Sequence, residues 1–172
     1  MFGNKYRQQI GELEAALADC HALHAALQRS MAIVELMPDG TVIDANDNFC
    51  RTLGYTLSEL KGQHHRRFCD PVYAGSPEYD SFWASLRRGE FFRGPVHRRQ
   101  RDGRDVWLEA TYNPVLGADG RVVKVVKFAT DVTPQVIEAA SQRAMVDAIE
   151  RSMAVIEFAT DGRILRDRKS VV

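Results

Sequence analysis

The sequence predicts an α+β fold, one antiparallel sheet packed against short helices and flanked by a longer helix on each side. Three observations carry that expectation. β-type runs stand at both ends of the central region, with helical runs between them. Asp-Gly pairs at Asp39-Gly40, Asp102-Gly103 and Asp119-Gly120 punctuate alternating stretches, as hairpin turns do. Residues 5–29 and 135–151 are rich in Ala, Leu, Gln and Glu and contain no proline, with Gly11 the one glycine.

In chain order, Ile10, Leu13, Leu17, Cys20, His24 and Leu27 recur at alternating spacings of three and four, a heptad seam with one polar position. Such a seam pairs with a second chain or packs on its own domain. Residues 31–45 then read as a hairpin, MAIVEL and TVIDAN about a PDG turn. Residues 46–54 read as a helix stopped by a glycine. Thr56 with Glu59 three positions on forms a capping box. Ser76-Pro77-Glu78 opens a further helix, in which Tyr79, Phe82, Trp83 and Leu86 share a face up to Gly89. Three strands follow, FRGPVHRRQ, DVWLEATYNPV and RVVKVVKFATDV, as an antiparallel meander. Charges at Arg98, Arg99, Lys124 and Lys127 are expected to blunt its edges.

One stretch repeats. SMAIVELMPDGTVID at 30–44 returns as SMAVIEFATDGRILR at 152–166, so the chain is read as one module and the start of a second. The second copy leaves the pattern at Arg166, and residues 166–172 read as an artificial end or a change of reading frame.

Composition narrows the functions. The 23 basic and 23 acidic residues cancel, which argues against nucleic acid or an anionic membrane as partner. No apolar run has membrane-span length, and no apolar signal core opens the chain. Three scattered cysteines without a CxxC pair suit a reducing, cytoplasmic setting. No GxSxG, HExxH or GxxxxGK[ST] motif is present, and the chain is read as non-enzymatic.

Several of these stretches together resemble the PAS sensory domains of cytoplasmic aerotaxis and methyl-accepting chemotaxis receptors. They are the NxxF after the second strand, GYTLSEL, FWxxLxxGE, the basic strand ending in Asp-Gly, and the terminal DVT. The resemblance spans about residues 30–133. It implies a five-stranded antiparallel sheet cupping a ligand or cofactor, and a helix passing the signal on. The domains expected are then an N-terminal amphipathic helix at 1–29, a PAS domain at 30–133, a connector at 134–151 and a truncated second PAS repeat at 152–172. The function implied is sensory input, of oxygen, redox state or a small ligand, to a chemotaxis-type transducer. A cofactor-free dimerisation module and an input domain for a kinase or cyclase are the alternatives.

The densest polar stretch, LKGQHHRRFCDP at 60–71, allows three readings. By resemblance, haem b would use His64 or His65 as its axial, metal-binding ligand. FAD would find an aromatic neighbour in Trp83, and amide or cationic groups in Asn46, His65 and Arg66. Phe68 and Asn113 complete that candidate set. The chain departs from the flavin receptors after His65, where Arg67-Phe68-Cys69-Asp70-Pro71 stands. The third reading is structural, with Asn46 as a helix cap, Asn113 shaping a strand end and Trp83 in the core. Trp107 is expected to pack on a sheet face, and Cys20, His21 and His24 to be seam and surface rather than metal ligands. The run Arg98, Arg99, Arg101 and Arg104 reads as a solvated edge. A homodimer through the N-terminal helix is the expected assembly, with a downstream PAS module and a chemotaxis signalling domain as partners in the full-length protein.

Overall fold

The computed structural model describes residues 2–152 and 155–168. The chain divides into two compact units after Asp131. The first begins with α1 (Phe2–Ser30), followed by β1 (Ala32–Leu36), β2 (Val42–Ala45), α2 (Asp47–Leu53) and α3 (Leu57–Leu60). A 3-10 turn at His65–Phe68, α4 (Pro71–Ala74) and α5 (Pro77–Arg87) lead into β3 (Phe92–Arg99), β4 (Asp105–Leu116) and β5 (Val122–Asp131). The five strands form one sheet in the order β2-β1-β5-β4-β3, with every pairing antiparallel. The first strand of the unit thus lies against its last, and β1, β5 and β4 are the interior strands of the sheet.

Local chemistry sets the helix ends. Asn46 caps α2 by accepting from the Phe49 N–H, and Gly54, in the left-handed region at φ 76°, ends it. The Thr56/Glu59 capping box is formed at α3. Ser76 caps α5 with Pro77 in its first turn, a position that needs no N–H. The helices lie on one face of the sheet. Phe49, Leu53, Leu60 and Leu86 meet Val34, Leu36, Val106, Leu108 and Val125 there, and all nine are buried. At roughly 1.5–3 kcal/mol for each fully buried large side chain, this apolar layer is the main source of cohesion.

α1 is joined to the sheet at its last turn. The Asn46 amide donates to the carbonyls of Gln28 (3.0 Å) and Met31 (2.7 Å), while its oxygen accepts from Ile33 N–H (2.9 Å) and Phe49 N–H (2.9 Å). Asn48 adds bonds of 3.1 Å to the carbonyls of Gln28, Arg29 and Met31. Carbonyls that a helix end leaves unpaired are satisfied by two side-chain amides. Further along α1, Ile10, Leu13 and Leu17 are exposed.

The second unit holds α6 (Thr133–Ser152) and a hairpin of β6 (Val155–Phe158) and β7 (Ile164–Arg168). Its pairing, Glu157↔Arg166 and Phe158↔Ile164 with a register shift between, repeats Glu35↔Asp44 and Leu36↔Val42 of the first hairpin at the offset of the sequence repeat. The tail at 169–172 lies outside the described residues.

Candidate ligand site

The adjacent histidines part company in the 3-10 turn. His64 caps it, its Nδ1 accepting from the Arg66 N–H at 3.2 Å. The His65 N–H donates to the Gly40 carbonyl at 2.8 Å, and its ring turns into the core. There Nδ1 lies 3.1 Å from the Tyr79 hydroxyl and Nε2 lies 2.9 Å from the Tyr112 hydroxyl. A neutral imidazole, one nitrogen donating and the other accepting, matches two hydroxyls. Burial, reinforced by the charges of Arg98 and Lys127, holds His65 well below the ordinary histidine pKa of 6.5. Gly40 makes the approach of the first hairpin possible. A Cβ there would stand 3.0 Å from both His64 and Trp83, at a φ of 95° that side chains rarely adopt.

Beyond His65 the interior is polar and cationic. Lys127 on β5 is 1% exposed and Arg98 on β3 is 4% exposed. The Lys127 amine lies 4.8 Å from the centre of the Tyr112 ring and 5.9 Å from that of Phe49, so aromatic faces receive it. Burial, and then the charge of Arg98, draws its pKa well below the ordinary 10.5. The Arg98 guanidinium donates to the Tyr112 hydroxyl at 2.9 Å and to the His97 carbonyl at 2.6 Å. The Tyr112 hydroxyl is pushed up to about 12 by burial, against the opposing influence of Arg98. Neither cation is ion-paired to a carboxylate among the described residues. Two buried donors, Trp83 Nε1 and Arg98 Nε, make no hydrogen bond. Arg98 also lines a cavity of about 300 Å3 between α4 and β3, with Asp70, Tyr73, Phe92 and Val96 among its walls.

The residues expected from sequence are thus brought together only in part. His65, Phe68 and Trp83 are buried in one aromatic cluster, and His64 stands at its edge. Asn46 is the α2 cap and the α1 joint, as its structural reading has it. Asn113 is corrected as a pocket residue. It lies on the sheet face opposite Tyr112, bonded to Thr111 Oγ1 and the Val126 carbonyl at 3.1 Å. Arg98 and Lys127 are corrected as edge charges, since both point into the core. Arg99, Arg101 and Arg104 are exposed, and Trp107 packs on the His97 ring at 4.9 Å. Tyr79, Tyr112, Arg98 and Lys127 are site residues that the sequence reading passed over.

The packing excludes His65 as a haem ligand and leaves no slot for a flavin at Trp83. An axial histidine needs a free ring nitrogen, and His65 has both engaged by tyrosines, while His64 caps the turn through Nδ1 and, among the described residues, keeps Nε2 unengaged at the edge of the cluster. An isoalloxazine needs an open flat slot. Trp83 is instead enclosed edge-to-face by His65 (5.4 Å) and Phe82 (5.8 Å), with Gly40 pressed against its ring. Among the described residues no group of three or more His, Cys, Asp or Glu side chains is placed to hold a metal ion.

A five-stranded antiparallel sheet closed over short helices around a buried polar centre is the architecture of a sensory-domain fold. The family model described as PAS fold matches residues 42–129, and the chain belongs to that family. It is 52% identical over 141 residues to the biofilm dispersion protein BdlA of Pseudomonas aeruginosa, covering 82% of this chain and 34% of that protein. It is 32% identical over 98 residues to the aerotaxis receptor of Escherichia coli, covering 57% and 19%. The chain therefore spans about a third or less of these relatives. Among solved structures it is similar to an RNA-binding light-oxygen-voltage receptor, at TM-score 0.62 and 26% identity over 77% of this chain and 38% of that one. The PAS domain of a Colwellia psychrerythraea protein, at TM-score 0.59 and 22% identity over 67% and 98%, shares the fold.

Proposed function

We propose that the chain is the sensory input module of a chemotaxis- or aerotaxis-type transducer, responding to oxygen, redox state or a small ligand. The observation that carries this reading is the buried cationic and hydroxyl cluster of His65, Tyr79, Arg98, Tyr112 and Lys127. Buried charge without a partner is costly, and a domain built for stability alone would fill the same volume with apolar side chains. The similarity to an aerotaxis receptor and to a biofilm dispersion protein supports the same class. The role is read as non-catalytic, and the tandem repeat as two input modules in series ahead of a chemotaxis signalling domain. Three cysteines without disulfides support a cytoplasmic site. Among the described residues no helix is long and apolar enough to cross a membrane.

The test is a fusion of residues 1–151 to a chemotaxis signalling domain, with swimming bias recorded as oxygen is changed. The expected result is a response that Lys127→Met abolishes while the fusion stays folded. A fusion that responds equally with and without Lys127, or never responds to oxygen, redox dyes or metabolites, sinks the reading.

A dimerisation role has its own support. Ile10, Leu13 and Leu17 are 54%, 70% and 56% exposed at heptad spacing on α1, and a second copy of the helix would cover them. Sedimentation of the chain with and without residues 1–28 is expected to show a dimer only with α1 present. Equal behaviour of the two forms removes α1 as the contact.

A further inference from the structure

We propose that the cavity between α4 and β3 is a binding site for a small organic monocarboxylate, held at its charged end by Arg98 and along its carbon skeleton by Tyr73, Phe92 and Val96. The proposal deepens the sensory reading and rests on it for what binding achieves.

The interior offers donors and almost no acceptors. Arg98 presents a planar fork of N–H groups and has no acceptor of its own. Its terminal nitrogens are used on the Tyr112 hydroxyl and the His97 carbonyl, its buried Nε has no partner, and the residue is one of those that line the cavity. Lys127, its amine over the Tyr112 ring that Arg98 also bonds, is a second buried donor with no carboxylate partner among the described residues. A guanidinium with an unused donor is matched best by a carboxylate, which accepts in the same plane.

The walls decide the rest. Phe92, Val96 and Tyr73 are apolar or aromatic, so a bare inorganic anion would leave them without contact. The volume of about 300 Å3 is at the small end of ligand sites, too small for a dinucleotide and suited to a compact acid. Asp70 stands at the same cavity, its Oδ1 accepting from the Val72 N–H at 2.9 Å. That carboxylate opposes a phosphate or a dicarboxylate more than it opposes a single charge.

Calorimetric titration of the 172-residue chain with propionate, benzoate and phenylacetate tests the site, with benzamide and sodium chloride as neutral and ionic controls. At least one of the three acids is expected to bind saturably and benzamide not to bind. Arg98→Met is expected to weaken binding by at least about tenfold, the loss that follows removal of one partner of a buried charge pair. Because Arg98→Met removes a core hydrogen bond, Val96→Phe serves as the second variant. It fills the cavity with Arg98 intact and is expected to abolish binding. Absence of binding by all three acids overturns the site, as does equal binding of benzamide or unchanged affinity in Val96→Phe. Carboxylate binding without a signalling response in the fusion refutes the sensory reading and leaves the site standing. A response without carboxylate binding refutes the site alone.

Discussion

The side chains of the sheet's inner face fall into two halves by chemistry, built on opposite logic. Val34, Leu36, Val106 and Leu108 meet Leu53 and Leu60 with no polar atom to satisfy. Tyr112, Lys127 and Arg98 occupy equally buried positions with charges, hydroxyls and an unused donor. The two kinds of position are interleaved, for Val34 pairs across the strands with Lys127 and Val106 with Arg98. Both halves exclude water, but only the first gains free energy by doing so in full. The difference teaches that stability and responsiveness share one face: the apolar half holds the fold, and the polar half set beside it remains poised for a change of occupant or charge.

Breaking the apolar half has the largest effect. Leu108→Ala is expected to lower unfolding free energy by about 2–5 kcal/mol, read from urea denaturation. The polar half responds in the opposite direction. Lys127→Met is expected to raise stability at neutral pH by about 1–4 kcal/mol, as replacement of buried charge by packed apolar groups often does. Were Lys127→Met to destabilise as much as Leu108→Ala, the division between the halves would be false.

The pH dependence sharpens the contrast. The folded pKa of Lys127 lies below its unfolded value, so above pH 10.5 the amine is neutral in both states and carries no penalty. As pH falls from 10.5 toward the folded pKa, the unfolded chain takes up a proton that the folded one refuses, and stability is lost. The advantage of Lys127→Met is therefore expected to be greatest at neutral pH and to shrink as pH approaches 10.5. His65 follows the same sign lower down. Its stabilising contribution is whole above pH 6.5 and is lost as pH falls through the window below it. Denaturation midpoints of the wild type are expected to drop there, and those of His65→Gln to drop less.

Smaller effects bound the comparison from outside the core. Asn46→Ala is expected to cost about 0.5–2 kcal/mol as a lost cap and to increase amide exchange in the last turn of α1. Lys61→Ala removes an exposed pair with Asp44 at 3.1 Å and is expected to change stability by less than about 1 kcal/mol. A larger effect would mean that surface charge, and not the inner face, governs this domain.

Local features were legible in the sequence because local chemistry dictates them. The Asp-Gly turns, the Thr56/Glu59 box and the Ser76-Pro77 start each specify a backbone within four residues, and they placed the helices and hairpins. The two hairpins at 30–44 and 152–166 share a register for the same reason. The direction of charged side chains was missed, although a signal existed. With a period of two, Val125, Lys127 and Ala129 share a face, so Lys127 must point where two apolar neighbours point. Lys124, three positions away, faces outward to Glu35 at 2.8 Å. Arg98 likewise follows Val96 inward while Arg99 turns out. Which of His64 and His65 enters the core was not legible, because their partners Tyr79 and Tyr112 lie 14 and 47 residues further along the chain than His65.

The amide joint of Asn46 and Asn48 has a mechanical consequence. Bonds from two side chains to three carbonyls at one helix end make a weld, not a swivel, so α1 cannot turn without β1 turning with it. At 1.5 Å per residue, the 29 residues of α1 form a rod of about 44 Å. One degree of tilt at the weld carries its far end about 0.8 Å. A sub-ångström adjustment of the sheet around Lys127 and Tyr112 is thereby geared up to the displacement of a whole atom at the other end of the rod.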